Sequence, residues 1–217
     1  MKGLILKDFI NLKKNFKTLG LILVFYAFLA FSTNNPGFIS TMTTVIFAML
    51  TLTTYSYDDY AKWDTYALTL PIGKKHIVQG KYLLLIILSA ISFIFSSIAL
   101  FILDVAADKQ DFREGLVITA LGAAVVIFFN CIIIPLVTKL GVEKARLAIF
   151  AVYGIPFFLG TIILKKLKAR YPEPPASFVA AMNTFVNNAY IIIPLLLIAT
   201  LLISYYITLS IYNKKEF

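Results

Sequence analysis

Apolar positions along the chain fall into long unbroken runs rather than the alternating pattern of a half-buried strand. Five runs, Phe38–Tyr57, Tyr82–Leu103, Gly115–Thr138, Leu147–Leu164 and Ala189–Tyr212, contain no Asp, Glu, Lys or Arg. Each is close to the ~20 residues that carry a helix across the hydrocarbon of a bilayer. A sixth, weaker run covers Leu19–Ser32, with Lys17 placed to extend it by reaching back to the headgroups. Lipid offers the backbone no hydrogen bonds, so spanning segments are helices or closed barrels, and strand-length alternation is absent. The pattern predicts an all-α polytopic membrane protein with six transmembrane helices in a single domain over residues 1–217.

The segments between the runs are short and distinctive. In MKGLILKDFINLKKNF, Ile5, Phe9, Leu12 and Phe16 recur at helical spacing while Lys7, Asn11 and Lys14 lie elsewhere on the wheel. Residues 1–17 read as an amphipathic helix in the membrane interface, or as an ordinary basic flank. In DDYAKWDTYALTLP, Tyr60, Trp63, Ala67 and Leu70 share a helical face, with Asp58 and Asp59 placed as an acidic N-terminus and Pro71 as a stop. Within 58–81 that helix suits a docking knob for a partner protein, or lies against the headgroups. Segment 165–188 holds a stiff Pro-Glu-Pro-Pro stretch and then Phe178, Met182, Phe185 and Val186 on one helical face. It predicts a short surface or re-entrant helix, or a plain connecting loop.

Composition sharpens the picture. Of 217 residues, 60% are apolar and only 14% charged, with a mean hydropathy of +0.86. That is too apolar for a soluble domain of this size. The net charge of +9 suggests orientation and anionic lipid rather than nucleic acid. Lys2, Lys7, Lys13, Lys14, Lys17, Lys62, Lys74, Lys75, Lys81, Lys139, Lys144, Arg146, Lys214 and Lys215 fall in alternate segments, against fewer basic residues on the opposite side. This bias places both termini in the cytoplasm of a cell membrane. The cluster from Lys165 to Arg170 runs against it.

Candidate chemistry is sparse. Gly73 and Gly80 are too far apart for a phosphate-binding loop, and Tyr82 stands after Lys81 where Ser or Thr is needed. His76 is the only histidine and Cys131 the only cysteine, so neither a histidine metal pair nor a disulfide is available. No carboxylate lies within the runs to work as an acid or base. Pro135, Pro156 and Pro194 could mark broken helices of a secondary transporter or channel. Thr41, Thr44, Thr51 and Asn130 are candidates for lining a polar path, or for hydrogen bonds to their own helices.

YDDYAKWDTYALTLPIGKKHIVQGKYL, set between spans two and three and preceded by a basic amphipathic helix, resembles the permease subunits of ABC-2-type transporters. The likeness is tight over this stretch and loose over the whole chain. It is strongest to small six-span bacterial permeases, including those that export phenol-soluble modulin peptides. The resemblance implies an N-terminal elbow helix and a coupling helix with Asp58, Asp59, Tyr60, Trp63, Asp64 and Leu70 against a separate ATPase subunit. It also implies a second permease copy, ATP and Mg bound by the ATPase rather than by this chain, no catalytic residue here, and an amphipathic peptide as cargo. An exporter of a lipid-like antibiotic, a secondary transporter or channel, and a non-transporting membrane subunit are the rivals.

Overall fold

The computed structural model describes residues 2–32, 36–67, 69–106, 112–170 and 176–215. Among them every regular element is helical. The order is α1 (Lys2–Lys13), α2 (Phe16–Ser32), α3 (Pro36–Tyr60), α4 (Trp63–Ala67), α5 (Lys74–Ala106), α6 (Phe112–Leu140), α7 (Val142–Arg170) and α8 (Ala176–Lys214). Among the described residues four stretches, in α5, α6, α7 and α8, are long and apolar enough to cross a membrane. The apolar part of α2, Phe16–Leu29, is shorter. Helix α3 is long and continuous, but threonines and serines interrupt its apolar run.

Helices α3, α5, α6 and α8 form the packed centre. α2 lies against α3, and α7 lies against α6 and touches α3 only at one edge. One core cluster joins Ala67 of α4, Ile77, Val78, Tyr82 and Leu85 of α5, Ile134 of α6 and Tyr212 of α8. A second joins Leu12 of α1, Leu50 of α3, and Leu84 and Leu88 of α5. A third joins Ile133 and Val137 of α6 to Ala145 of α7, while many large apolar side chains face outward, Leu147 and Phe150 of α7 among them, as expected where lipid replaces water.

Three sequence expectations change. Pro135, Pro156 and Pro194 sit inside helices that run on through them, so these helices are not broken there. The lysines from Lys165 continue α7 as helix to Arg170. The short helix expected over 178–186 is not a separate element: its backbone belongs to the first turns of α8. The helix runs on through Asn187 and Asn188, although Asn is a common helix terminator. The Pro-Glu-Pro-Pro stretch and the side chains of Phe178, Met182, Phe185 and Val186 lie outside the described residues.

The turn between α6 and α7 is a single residue. Gly141 adopts φ +77°, the left-handed conformation that ends helices at glycine. Its N–H donates to Val137 O at 2.9 Å, and its own carbonyl accepts from Ala145 N–H at 3.1 Å. This turn brings the end of α6 and the start of α7 to the same end of the bundle as the α3–α5 connection.

Candidate functional site at the loop end of the bundle

The predicted single helix over Asp58–Leu70 is not what the chain forms. Asp58, Asp59 and Tyr60 are the last residues of α3. Lys62 then takes φ 47° and breaks the helix. α4 is only Trp63–Ala67, and Leu70 lies in the turn beyond it, where its N–H donates to Ala67 O at 3.3 Å. Leu70 is half-buried. Span two continues past its expected end because Asp58 meets cations inside the protein and has no need of solvent.

Those cations belong to two other elements. Lys7 Nζ of α1 lies 2.5 Å from Asp58 Oδ1 and 3.1 Å from Asp8 Oδ1. Lys81 Nζ of α5 lies 2.6 Å from Asp58 Oδ2 and 3.2 Å from Asp8 Oδ1. Lys81 also donates to Thr54 Oγ1 at 3.2 Å and stands 4.9 Å from the centroid of the Tyr55 ring. Two lysines and two aspartates make a neutral cluster, with Asp8, Asp58 and Lys81 buried. A buried charge is tolerated only when paired and hydrogen-bonded, as these are. The cluster fastens α1 to the end of α3 and the start of α5.

The other two loop acids are also engaged within the chain. Asp59 Oδ2 accepts the N–H of Val142 at 3.0 Å and so caps the start of α7. Asp64 Oδ1 accepts the Tyr212 hydroxyl at 3.0 Å, and Lys215 Nζ lies 3.7 Å from Asp64 Oδ2. Lys74 Nζ donates to the carbonyls of Asn213 and Lys215, each at 3.3 Å, at the end of α8. Through Asp58, Asp59 and Asp64 the turn after α3 is tied to α1, α5, α7 and α8. A cavity of about 40 Å³ lies under it, bordered by Tyr55, Asp58, Lys81, Thr138 and Tyr212. That volume suits a few waters rather than a substrate.

The aromatic residues of the turn divide into two kinds. Trp63 is half-buried, with Lys7 Nζ 4.2 Å from its ring centroid and Tyr66 at 5.5 Å between centroids. It is a support for the turn, held by a cation–π contact. Tyr60 and Tyr66 project outward, 77% and 57% exposed. Tyr66 was not singled out by the helical wheel, because α4 starts later than the wheel assumed. Lys7, Asp8 and Lys81 were likewise missed. The available signal was Asp8 itself, an acid at i+4 between Leu4 and Leu12 on what becomes the buried stripe of α1.

The residues expected to line a polar path are mostly buried in this chain. Thr44, Thr51 and Asn130 are buried within the α3, α5 and α6 packing of one chain. Asn130 Nδ2 donates to Val126 O at 3.0 Å, and nearby on the same seam Thr43 and Ser96 share a hydrogen bond of 2.6 Å. The hydroxyl of Thr51 and Oδ1 of Asn130 have no partner. Asn130 thus bonds its own helix, and the Thr43–Ser96 pair joins α3 to α5. Thr41 lies on α3, with its side chain outside the described residues. Among the described residues no group of His, Cys, Asp and Glu has the makings of a metal site.

No curated protein and no solved structure matches the chain. A family model described as ABC-2 family transporter protein matches residues 3–213, from the first turn of α1 to the end of α8. A multi-pass helical chain whose polar residues knit one end of the bundle together is in keeping with a membrane component of that kind. The chain belongs to the ABC-2 transporter family, whose members normally work in the membrane with an ATPase partner.

Proposed function

We propose that this chain is the permease subunit of an ATP-driven exporter, with six spans, cytoplasmic termini and a second permease copy. The observation that carries the reading is the exposed turn from Tyr60 to Tyr66, braced from beneath by four other helices. Helices α2 and α3 supply the two spans beyond α5, α6, α7 and α8. A partner ATPase holds ATP and Mg, and the present chain supplies no catalytic group. When the ATPase subunits close, their surface displaces Tyr60 and Tyr66. Trp63 passes the displacement to α1 through Lys7, and the acids of the turn pass it to α5, α7 and α8. A turn fixed at so many points moves the helix ends as one body.

The cargo we propose is an amphipathic peptide. Spans without ionisable side chains offer no partner for a small hydrophilic solute leaving water, whereas aromatic-rich apolar faces suit the hydrophobic side of a helix. The resemblance to peptide-exporting permeases points the same way. With Thr44, Thr51 and Asn130 inside the subunit, the path falls to the outward apolar faces between two copies. A deletion strain should accumulate amphipathic peptide inside the cell and lose it from the medium, and the complemented gene should restore both pools, as mass spectrometry would quantify. Unchanged peptide pools, with an altered susceptibility to a lipid-like antibiotic, would reassign the cargo.

A further inference from the structure

We propose that the corner joining α1 to α2 binds the headgroups of anionic phospholipids. Lys13, Lys14 and Lys17 are all exposed there, and among the described residues none forms an ion pair. The acid nearest in sequence, Asp8, is buried and taken by Lys7 and Lys81. Three positive charges therefore stand uncompensated within five positions of chain.

The corner is built, not loose. Asn15 N–H donates to Leu12 O at 2.8 Å, Leu19 N–H donates to Asn15 O at 2.9 Å, and the Tyr57 hydroxyl donates to Asn15 Oδ1 at 3.2 Å. Leu12 is completely buried beneath it. The lysines thus project from a fixed backbone, which lowers the entropy lost when they close on a ligand.

What lies beside the lysines selects the ligand. Leu6, Ile10 and Phe16 are 61%, 58% and 49% exposed. An acidic protein surface would satisfy the ammonium groups and leave these apolar side chains in water. The edge of a bilayer satisfies both, with phosphate for the lysines and acyl chain for Leu6, Ile10 and Phe16. Lysines at the surface of an anionic leaflet each strengthen the association. Because Lys7 and Asp8 carry the same helix into the buried ion cluster, lipid held at this corner also holds the base of the turn level with the membrane surface.

The test uses the full chain in nanodiscs of phosphatidylcholine and phosphatidylglycerol, with spin-labelled lipids reporting relative association. The wild-type chain should prefer phosphatidylglycerol severalfold, and the preference should fall as salt rises, since exposed charges are screened. Lys13→Gln/Lys14→Gln/Lys17→Gln should abolish most of the preference. The corresponding triple Arg variant should keep it, and so should Lys62→Gln/Lys139→Gln/Lys144→Gln, which removes equal charge elsewhere at the same end. An equal loss in the second Gln triple would mean bulk charge and overturn the site. If the corner Gln triple fails to insert, the salt series on the wild-type chain decides, and a salt-independent preference overturns the proposal. A corner variant that keeps its lipid preference but loses a protein partner would assign the lysines to that partner instead.

Discussion

Asp58 and Asp59 are neighbours in sequence with unlike tasks. Asp58 balances two lysines from different helices in a buried setting, and truncating one member of such a group leaves the others uncompensated, at a cost of about 3–5 kcal/mol. Asp59 is exposed and caps one helix, a contribution of about 1 kcal/mol. Asp58→Asn should therefore lower the thermal unfolding midpoint of the purified chain in detergent by several times the drop in Asp59→Asn. Equal midpoints for the two variants would mean that the ion cluster does not hold α1 in place. Little of this was legible in the chain. Asp8 and Lys81 meet across 73 positions of sequence, and no local pattern reports such a pairing. A carboxylate between Leu4 and Leu12 was the one local sign that α1 buries a charge.

At the scale of elements, the long helices were legible and the turns were not. Runs of apolar residues fix where a helix can lie in lipid, so α5 and α6 agree with the sequence expectation apart from extra turns at their ends. Boundaries set by tertiary contacts escaped, as with α3 running on to Tyr60. The same cause shifted the aromatic face of the turn from Trp63 to Tyr66. It leads to a separable pair of effects. Tyr60→Ala/Tyr66→Ala removes exposed rings, so its unfolding midpoint should stay near that of the wild-type chain while association with the ATPase weakens, by about 2 kcal/mol if either ring is a docking anchor. Trp63→Ala should cut stability too, because Lys7 and the core around Ala67 lose their support. Pull-down and thermal unfolding of both variants distinguish the two roles. A Tyr pair with unchanged ATPase association would remove the docking assignment.

For the whole molecule, the ends of α3, α6 and α8 and the starts of α5 and α7 gather on one side, together with α1. In the proposed topology, the charge bias along the chain puts that side in the cytoplasm. With Cys131→Ser as background, Lys75→Cys should label only from the cytoplasmic face and Ser177→Cys only from the outside. Labelling of both from one face would contradict six crossings. The fold was legible at this scale because the membrane leaves few choices. The proposed coupling role came only from resemblance, and the groups that brace the turn were not legible because they meet through contacts between distant segments. The central claim is that the exposed turn meets an ATPase. A photo-crosslinking amino acid at Tyr66, with Tyr190 near the start of the membrane-length stretch of α8 as control, tests it most directly. In cells the probe at Tyr66 should capture a protein identified by mass spectrometry as carrying Walker motifs, while the probe at Tyr190 captures none. Capture of lipid alone at Tyr66, or of the same ATPase from both positions, would contradict the account.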